Sequence, residues 1–526
     1  MKILNAAEMR EVDRLTTSRH RVPSLTLMEN AGKGIAEFIQ RRFTDFARRR
    51  LVILCGKGGN GGDGFVAARH LRKMGAKPVV HLVGDPRDVK GEVLANMRRW
   101  KAGPGKIQSN PAGAKAAWGP FTSDLLIIDA LLGTGSRGTV EGQLREAIEA
   151  INGREAGCVV VSVDIPSGLN ADTGEVSGVA VRADYTITFT APKPGLFLGK
   201  GPDCVGQLTV YQVGSPPSVV EETGKGNLRW SESGEFSGFA LPREPDGNKG
   251  VYGHALVVAG SVGKSGAAVL ASWAALRAGA GLVTVAVPEP ILPIVAAHTP
   301  EIMTEALDAT SSGSISMRSI ESDRFASILK GKRALAIGPG LTTHDETQQA
   351  VRAIVGKRAV PIILDADGLN AFAGRAAELK HGEGNICLTP HPGEMARLAG
   401  CKIADVQSRR IDLALKSAAD WNAIVVLKGY HTVVAAPGGR AYVNSTGNPG
   451  MATGGTGDVL TGILAGLTAQ FGAADWLRVI AFGVYLHGLA ADIAYAESGG
   501  APLMASDLIR ALPRAYQRFY AESGRA

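Results

Sequence analysis

Short runs of apolar residues alternate with amphipathic stretches along most of the chain. Two helical patterns come first, over Ala6–Thr16 and Leu25–Phe43. The apolar runs that follow are rich in Val, Ile and Leu, which favours a mostly parallel sheet covered by helices on both faces. In the first half the predicted strands are Leu51–Leu54, Val79–Val83, Leu125–Ile128, Val159–Val163, Tyr185–Phe189 and Leu208–Val210.

The alternation is interrupted once, between about Gly214 and Gly250, where Pro, Ser, Glu and Gly are frequent and no apolar period is visible. Such a composition is typical of a linker. We therefore predict the α/β class and two domains, residues 1–220 and 246–526, joined by a linker over residues 221–245. In the second half the predicted strands are Ala255–Val258, Leu282–Val287, Ala334–Ile337, Ile362–Leu364, Ile424–Leu427 and Thr432–Ala435, and the predicted helices include Ala267–Ala278 and Leu477–Ala494.

Composition narrows the functional class. The 526 residues are 45% hydrophobic and 20% charged, as in soluble globular proteins, and the net charge of +8 is dispersed. This charge suits anionic small molecules better than nucleic acid. The five cysteines form no CxxC pair, which favours reduced thiols in the cytoplasm over a structural zinc site. The N-terminus lacks a signal-peptide pattern and no apolar span of about 20 residues is visible, so we expect no membrane partner.

A glycine-rich loop follows the first predicted strand. It reads GKGGNGGDG over Gly56–Gly64, and Gly56, Gly58 and Gly61 have the GxGxxG spacing of a dinucleotide-binding loop, with Asp85 as the candidate ribose-binding acid. The spacing has little specificity, because a loop with so many glycines matches many patterns.

Polar residues also end three predicted strands of the first half. Asn60 follows the first strand, while Asp129 and Asp164 end two later ones. One acid at a strand end is usually a helix cap, but the carboxyl ends of parallel strands meet at one sheet edge, where ligands bind. The three together therefore favour a ligand site, and their oxygens suit a hard cation.

Four strings within residues 1–220 resemble the NAD(P)H-hydrate epimerase domain: NGGDG, the acid-ended strand LLIIDA before a Gly/Thr loop, DIPSGLNADTG and TFTAPKPG. The resemblance implies a Rossmann-like α/β/α fold and a hydrated nicotinamide nucleotide as ligand. It further implies a potassium ion held by Asn60, Asp129 and Ser167, with Asp129 also as the acid/base residue. The implied nucleotide contacts are Gly59, Asn60, Gly61, Gly62, Asp63, Gly133, Thr134, Gly135, Ser136, Arg137, Gly138, Thr139 and Asp164.

The segment NPGMATGGTGD, Asn448–Asp458, carries the strongest chemical signal of the second half. A helical pattern begins directly after it, so its amides would lie at a helix N-terminus, which attracts anions. The glycines let a phosphate approach the backbone. Asp458 beside that anion site suits removal of a proton from a hydroxyl that receives a phosphoryl group. The alternative is an ordinary acidic residue in the first turn of a helix.

Other second-half motifs have competing interpretations. The segment GSVGKS, Gly260–Ser265, is not a Walker loop, because Val258 stands where that motif requires glycine. His391 lies between two prolines after a predicted strand, which favours ligand contact, whereas His487 within a helical pattern favours packing in the interior. Lys428 ends an apolar strand and either faces a phosphate or is a solvated strand end.

Residues 246–515 resemble the ADP/ATP-dependent NAD(P)H-hydrate dehydratase of the ribokinase-like superfamily, through GNPGMATGGTGDVLTG and LTPHPGEMARL above all. The resemblance implies an α/β/α fold, magnesium, ADP or ATP as co-substrate, and Asp458 as the catalytic residue. The implied contacts to the hydrated substrate are Ala267, Gly340, His391 and Asp458. The implied contacts to the adenine nucleotide and its phosphates are Lys428, Gly429, Tyr430, His431, Thr432, Gly455, Thr456 and Gly457. Lys264 and Gly368 depart from the family pattern.

The two resemblances predict one repair pathway. The first domain would interconvert the R and S epimers of hydrated NADH or NADPH, and the second would phosphorylate the S form and eliminate phosphate. The alternative is a ribokinase-like vitamin kinase with a nucleotide-sensing first domain. We also expect a homo-oligomer. The choice between ADP and ATP, and between NADH and NADPH, stays open.

Overall fold

A computed structural model describes residues 1–109, 121–135, 138–239, 243, 245–381, 385–472 and 474–523. The chain forms two compact units, Met1–Gly226 and Asn227–Ala526. Each unit contains its own sheet.

The first unit is built on a seven-stranded parallel sheet with the strand order β3-β2-β1-β4-β5-β6-β7. Its strands are β1 (Arg50–Cys55), β2 (Val79–Leu82), β3 (Ile107–Ser109), β4 (Leu125–Ala130), β5 (Val159–Val163), β6 (Tyr185–Phe189) and β7 (Gln207–Tyr211). Its helices are α1 (Ala6–His20), α2 (Ser24–Arg42), α3 (Gly59–Lys73), α4 (Gly91–Lys101), α5 (Gly142–Asn152), α6 (Gly201–Cys204) and α7 (Pro217–Thr223). The order is that of a Rossmann-like sheet, whose direction of winding reverses between β1 and β4.

Both faces of this sheet are covered. Ile53 and Ile128 point into one core, which they share with α2, α3 and α4, whereas Leu54 and Ile127 point into a second core with α5. Side chains alternate between the faces of a strand, so a continuous apolar run fills both cores. The predicted layer arrangement of this unit is thereby confirmed.

The second unit contains a ten-stranded sheet with the order β11-β10-β9-β12-β13-β14-β15-β16-β17-β8. Its strands are β8 (Leu228–Trp230), β9 (His254–Val258), β10 (Leu282–Pro288), β11 (Met303–Leu307), β12 (Ala334–Ile337), β13 (Ile362–Leu364), β14 (Ile386–Leu388), β15 (Ile424–Leu427), β16 (Val433–Ala435) and β17 (Ala441–Val443). The pairs β15·β16 and β16·β17 are antiparallel, and the other pairs are parallel.

The helices of the second unit surround this sheet. They are α8 (Ser265–Arg277), α9 (Leu292–Ala296), α10 (Arg318–Glu321), α11 (Asp323–Leu329), α12 (Asp345–Lys357), α13 (Asp367–Asn370), α14 (Pro392–Ala399), α15 (Ile403–Ser408), α16 (Arg410–Trp421), α17 (Thr456–Phe471), α18 (Trp476–Glu497) and α19 (Ala505–Glu522). Helix α17 packs closely on α8, since a Cβ added at Gly462 would lie 2.0 Å from the carbonyl oxygen of Ala271, and one at Gly466 would lie 2.3 Å from that of Ala275. This contact fixes the position of the helix that follows the GTGD turn.

Helix α18 corrects one sequence-based expectation. Among the described residues it is the one helix long and apolar enough to cross a membrane by length and composition, with a mean hydropathy of 1.5. However, 78% of its apolar window is buried inside the protein, as is usual for a core helix. Small residues and His487 interrupt the apolar pattern of this helix, so its length as an apolar span was not recognised from the sequence.

The predicted strands all occur, but short ones were missed. Strands β3, β8, β11 and β17 were not predicted, because their three to five residues contain no continuous run of Val, Ile or Leu, and β14 was expected before His391 without stated bounds. Strand β8 also corrects the expected linker at residues 221–245. Leu228–Trp230 pairs with β17, and Phe236 is fully buried among aromatic rings that include Phe482, so this segment belongs to the second unit.

Because each unit has its own sheet and core, we expect residues 1–226 and 227–526 to fold as separate fragments with cooperative thermal unfolding. A fragment of residues 247–526 lacks β8 and Phe236 and should be less stable. Loss of the buried phenyl ring alone should lower the free energy of unfolding by about 1.5–3 kcal/mol. Equal stability of the two second-unit fragments would contradict the assignment of residues 227–246 to this unit.

Candidate functional sites

The first unit has a cavity of about 700 Å³ at the carboxyl end of its sheet, where the winding reverses. It is lined by the loop after β1, the loop after β4 and residues that follow β5 and β6. Its charged lining residues include Asp13, Asp63, Asp164 and Lys193. The volume is typical of a small-molecule site.

Glycines let the first loop approach its neighbours. A Cβ at Gly61 would lie 1.8 Å from the carbonyl oxygen of Gly56, and a Cβ at Gly133 would lie 2.8 Å from the side-chain oxygen of Asn60. Helix α3 begins at Gly59, so its first amides are directed at the cavity end of the loop. This is the geometry of an anion site at a helix N-terminus.

Asn60, which follows β1, forms hydrogen bonds with residues at the ends of β4 and β5. Its side-chain Nδ2 donates to the carbonyl oxygens of Leu132 and Val163, both at 2.7 Å. The hydroxyl of Ser167 accepts from the amide of Leu132 at 2.9 Å and donates to Asp129 at 2.5 Å. Asn60, Asp129 and Ser167 therefore lie around the same loop, as the family resemblance implied.

Asp129 lies beneath the cavity wall. Its carboxylate is fully buried and accepts hydrogen bonds from the hydroxyls of Ser162 and Ser167 and from the amides of Ser167 and Leu131. Burial raises the pKa of Asp129, while the hydrogen bonds from Ser167 and Ser162 oppose that shift. Asp129 is absent from the lining of the cavity, and its part in proton transfer stays a prediction from the family resemblance. Its hydrogen bonds make it a residue that positions the loops.

Lys193 is the main residue that sequence reasoning missed in this unit. Its ammonium group is buried and donates to Asp164 Oδ1 at 2.5 Å, to the hydroxyl of Thr188 at 2.9 Å and to the carbonyl oxygen of Phe189 at 3.1 Å. Lys193 and Asp164 both line the cavity. The only sequence signal was its place in the string TFTAPKPG, which carried the family resemblance but no assigned role.

The other predicted first-unit residues divide into three groups. Gly59, Asn60, Asp63, Gly133, Thr134, Gly135 and Asp164 line the cavity, whereas Gly61, Gly62, Gly138 and Thr139 do not. Ser136 and Arg137 lie outside the described residues. Asp85 is not among the lining residues, and its carboxylate accepts from the amide of Arg87 at 2.8 Å and pairs with the Arg87 guanidinium. A ribose-binding role for Asp85 stays a prediction from the GxGxxG spacing.

In the second unit, a buried carboxylate organises the carboxyl end of the sheet. Asp365 follows β13, and its Oδ1 accepts from Lys428 Nζ at 2.8 Å and from the Thr389 hydroxyl at 2.7 Å. Its Oδ2 accepts from the Thr461 hydroxyl of α17 at 2.7 Å. Sequence reasoning quoted Asp365 within a motif but assigned it no function.

Lys428 is therefore not a solvated strand end. Its ammonium also lies 3.9 Å from Glu394 Oε2. Burial disfavours the charged ammonium, but the carboxylates of Asp365, Glu394 and Asp458 outweigh burial and raise the pKa of Lys428. Lys428 thus supplies a permanent positive charge at the edge of the sheet.

The GTGD turn lies beside this pair. Gly455 adopts a φ of 89° immediately before α17, a backbone conformation that favours glycine. A Cβ on Gly457 would lie 3.4 Å from Lys428 Nζ and 3.9 Å from Asp365 Oδ2, so the turn, the ammonium and the carboxylate are neighbours. Desolvation and the negative charge of Asp365 raise the pKa of Asp458 to about 7, against the opposing effect of Lys428. Such a pKa suits a general base at neutral pH.

The strand end after β15 continues into the segment Lys428–Thr432. The Arg410 guanidinium donates to the carbonyl oxygens of Leu427 and Lys428, which fixes the start of this segment. His431 Nδ1 lies 2.9 Å from the carbonyl oxygen of Asn444, and the Tyr430 side chain is exposed. The rings of Tyr430 and His431 lie against each other, with their centroids 4.0 Å apart.

The predicted contacts to the hydrated substrate lie in three places. Ala267 is in the first turn of α8, Gly340 follows β12 and His391 follows β14. A Cβ on Gly340 would lie 3.0 Å from the Cβ of Ala267, so these two residues are in contact range. His391 caps α14, since its Nδ1 accepts from the amide of Gly393 at 3.0 Å, and its ring is half exposed. His487 is buried as expected, with Nε2 3.0 Å from the carbonyl oxygen of Thr456.

Comparisons with known proteins agree with the division of the chain into two units. A family model described as YjeF-related protein N-terminus matches residues 24–195, and one described as NAD(P)H-hydrate dehydratase matches residues 255–514. A bifunctional NAD(P)H-hydrate repair enzyme of Moorella thermoacetica is 43% identical over 98% of this chain and 96% of its own length. The chain belongs to the bifunctional NAD(P)H-hydrate repair enzyme family. The family member of Thermofilum pendens is 40% identical over 98% of this chain and 96% of its own.

Among solved structures, this chain is similar to the ADP/ATP-dependent NAD(P)H-hydrate dehydratase of Bacillus subtilis, which was co-crystallised with ATP and magnesium. That protein is 33% identical, covers 56% of this chain and 99% of its own, and gives a TM-score of 0.47.

The family models and the relatives confirm the predicted family. The two separate sheets confirm the predicted α/β class with two domains.

The described parts of the chain contain no group of three or more His, Cys, Asp or Glu residues that could hold a metal. Asn60, Asp129 and Ser167 are linked through one set of hydrogen bonds at the strand ends, in which Asn60 and Ser167 both bond to Leu132 and Ser167 also bonds to Asp129. Their side-chain oxygens are of the kind that a hard cation prefers. In the second unit Lys428 lies among the carboxylates, so a magnesium ion would depend largely on phosphate and water oxygens.

Proposed function

We propose that this chain repairs hydrated NADH and NADPH. The first unit interconverts the R and S epimers of the hydrate. The second unit uses ADP or ATP to convert the S epimer to NADH or NADPH, with AMP or ADP and phosphate as by-products. The observation that carries the proposal is the position of Asp458, Lys428 and Asp365 around one helix N-terminus, in a chain that matches the repair-enzyme relatives over both units.

The second-unit chemistry follows from these groups. Asp458 accepts the proton of the ring hydroxyl. The hydroxyl oxygen bonds to the terminal phosphorus of the nucleotide, and the bond from that phosphorus to the rest of the nucleotide breaks, so that AMP or ADP leaves. The amides of Gly455, Thr456 and Gly457 and the charge of Lys428 offset the growing negative charge. A magnesium ion, when bound with the nucleotide, would neutralise further phosphate charge.

Phosphorylation makes the hydroxyl a good leaving group. Hydration of a dihydronicotinamide leaves the hydroxyl on the carbon next to the ring nitrogen, so the nitrogen lone pair can expel phosphate. Loss of a proton from the adjacent carbon then restores the double bond. Ala267, Gly340 and His391 are proposed to contact the ring, and Lys428–Thr432 to contact the adenine nucleotide.

The first-unit site is proposed to bind the same nucleotide for epimerisation. Anionic groups of the nucleotide would lie at the glycine loop and the start of α3. A potassium ion held by Asn60, Asp129 and Ser167 would keep the strand-end loops together and offset phosphate charge. A cytoplasmic location, a homo-oligomer and the absence of a nucleic-acid partner stay predictions from the sequence.

One assay separates this function from the alternative of a small-molecule kinase with a nucleotide-sensing domain. The full chain is incubated with an R and S mixture of hydrated NADH plus ADP or ATP, and recovery of absorbance at the dihydronicotinamide band is followed. We expect complete recovery in one fast process. A kinase would give no recovery, and a sensing first unit would give rapid recovery of the S fraction alone.

A further inference from the structure

One carboxyl group of the first-unit cavity has no role in the proposal above. Asp13 lies on α1 and lines the cavity together with Asp63, Asp164 and Lys193. The family match of the first unit covers residues 24–195 and so does not include α1. Asp13 therefore comes to the site through the tertiary structure.

Helix α1 is attached firmly to the chain that precedes Lys193. The amide of Leu4 donates to the carbonyl oxygen of Pro192 at 3.0 Å, and Met9 and Val12 share a buried core with Ala191. At the helix start, the Asn5 side chain accepts from the amide of Glu8 in a capping box. Residue 13 is thus held in a fixed position relative to Lys193.

The backbone near Lys193 is strained at two residues that also line the cavity. Asp164 and Thr190 both have a φ of 62°, and this conformation is unfavourable for a β-branched residue such as Thr190. Lys193 uses its ammonium to hold Asp164 Oδ1, which also accepts from the Thr188 hydroxyl at 3.2 Å. Strain of this kind is concentrated at functional sites, where surrounding contacts maintain it. Here it aims a paired carboxylate into the cavity.

The two carboxyl groups also differ in their surroundings. Asp13 remains accessible to solvent at the cavity wall, but limited hydration raises its pKa to about 6, with Lys193 opposing and Asp164 reinforcing the shift. Asp164 instead has the Lys193 ammonium 2.5 Å from its Oδ1. Two carboxyl groups in such different environments suit the roles of acid and base in one active site.

We propose that Asp13 is the proton donor and the Asp164–Lys193 pair the proton acceptor of epimerisation in the first-unit cavity. This inference rests on the proposed function of that unit. Asp13 lies on α1 and Asp164 follows β5, so the donor and the acceptor reach the cavity from two separate elements. Inversion at one ring carbon needs a proton donor for the leaving hydroxyl and a proton acceptor for the incoming water.

The reaction balances with water alone. Asp13 gives its proton to the ring hydroxyl, the carbon–oxygen bond breaks, and the ring nitrogen lone pair forms a carbon–nitrogen double bond as water leaves. A water molecule then attacks the other face, a new carbon–oxygen bond forms, and the electron pair returns to nitrogen. Asp164 takes the proton of the incoming water. The two carboxyl groups have then exchanged protonation states, which prepares the reverse reaction.

The test uses the full-length protein without adenine nucleotide, so that the second unit cannot consume the substrate. A single purified epimer of hydrated NADH is incubated in ¹⁸O-labelled water, and the epimer ratio and the label in the substrate are measured together. The wild-type protein should incorporate one ¹⁸O atom per inversion. Asp13→Asn should lower both rates by about 10²- to 10⁴-fold with KM unchanged, because it removes an acid without removing a binding group.

Glu11→Gln is the matched control, since it removes a carboxylate from the same helix that is exposed and pairs with Arg14. It should epimerise at the wild-type rate. Normal epimerisation by Asp13→Asn, a rise in its KM at constant kcat, or inversion without ¹⁸O uptake would each overturn the inference. A wild-type protein that does not exceed the spontaneous rate would instead refute the proposed function of the first unit.

Discussion

An Asp458→Asn variant is expected to lose dehydration and to keep epimerisation. Asparagine preserves the shape of the side chain but cannot accept the hydroxyl proton, and removal of a general base lowers rates by about 10²- to 10⁴-fold. Nucleotide binding should persist, because the amides at the start of α17 and the Lys428 ammonium remain. Both activities are measured on the full chain, dehydration by absorbance and epimerisation by the epimer ratio.

The pH dependence of the wild-type protein gives a second check on Asp458. Its pKa is raised to about 7, chiefly by desolvation and then by the charge of Asp365. A base acts in its ionised form, so kcat/KM for dehydration should rise as pH increases to about 7 and level off above it. The residual activity of Asp458→Asn should lack this rise. A variant that dehydrates at nearly the wild-type rate would show that Asp458 is only a charge in the first turn of α17.

An Asp129→Ala variant is expected to lose epimerisation and to leave dehydration of the S epimer intact. Alanine would leave the hydroxyls of Ser162 and Ser167 and the amides of Ser167 and Leu131 without their acceptor in a buried site. Each unsatisfied buried group costs about 1–3 kcal/mol, so the strand-end loops should lose their arrangement, and any potassium site with it. Starting from an epimer mixture with ADP or ATP, recovery should show a fast phase and a slow tail at the spontaneous rate.

Asp203→Asn provides the control for Asp129→Ala, because Asp203 is an exposed carboxylate of the same unit that pairs with Lys200. It should give a single fast recovery like the wild-type protein. If Asp129→Ala also recovered in one fast phase, the hydrogen bonds of Asp129 would not be required for the first-unit site.

The sequence by itself determined the class of the fold and the position of most strands. Apolar runs such as Val159–Val163 and Ala334–Ile337 form strands with the predicted bounds, because a strand buried on both faces needs a continuous apolar run. Short edge strands escaped prediction, since Leu228–Trp230 is defined by its pairing with β17 rather than by a local pattern. The glycine loops were also visible in the sequence, because close backbone approach restricts those positions to glycine.

The tertiary structure alone decided which side chains meet. Asp365 joins Lys428 and Thr461 from distant parts of the second half, and Lys193 joins Asp164 in the first cavity. Asp13 comes to the same cavity from a helix that precedes the glycine loop. Charge, hydrogen bonding and desolvation depend on distances in space, and spacing along the chain does not specify those distances. The sequence therefore located the loops of both sites. The fold determined that Asp129 is buried outside the lining of the first-unit cavity and that Lys193 and Asp13 line this cavity.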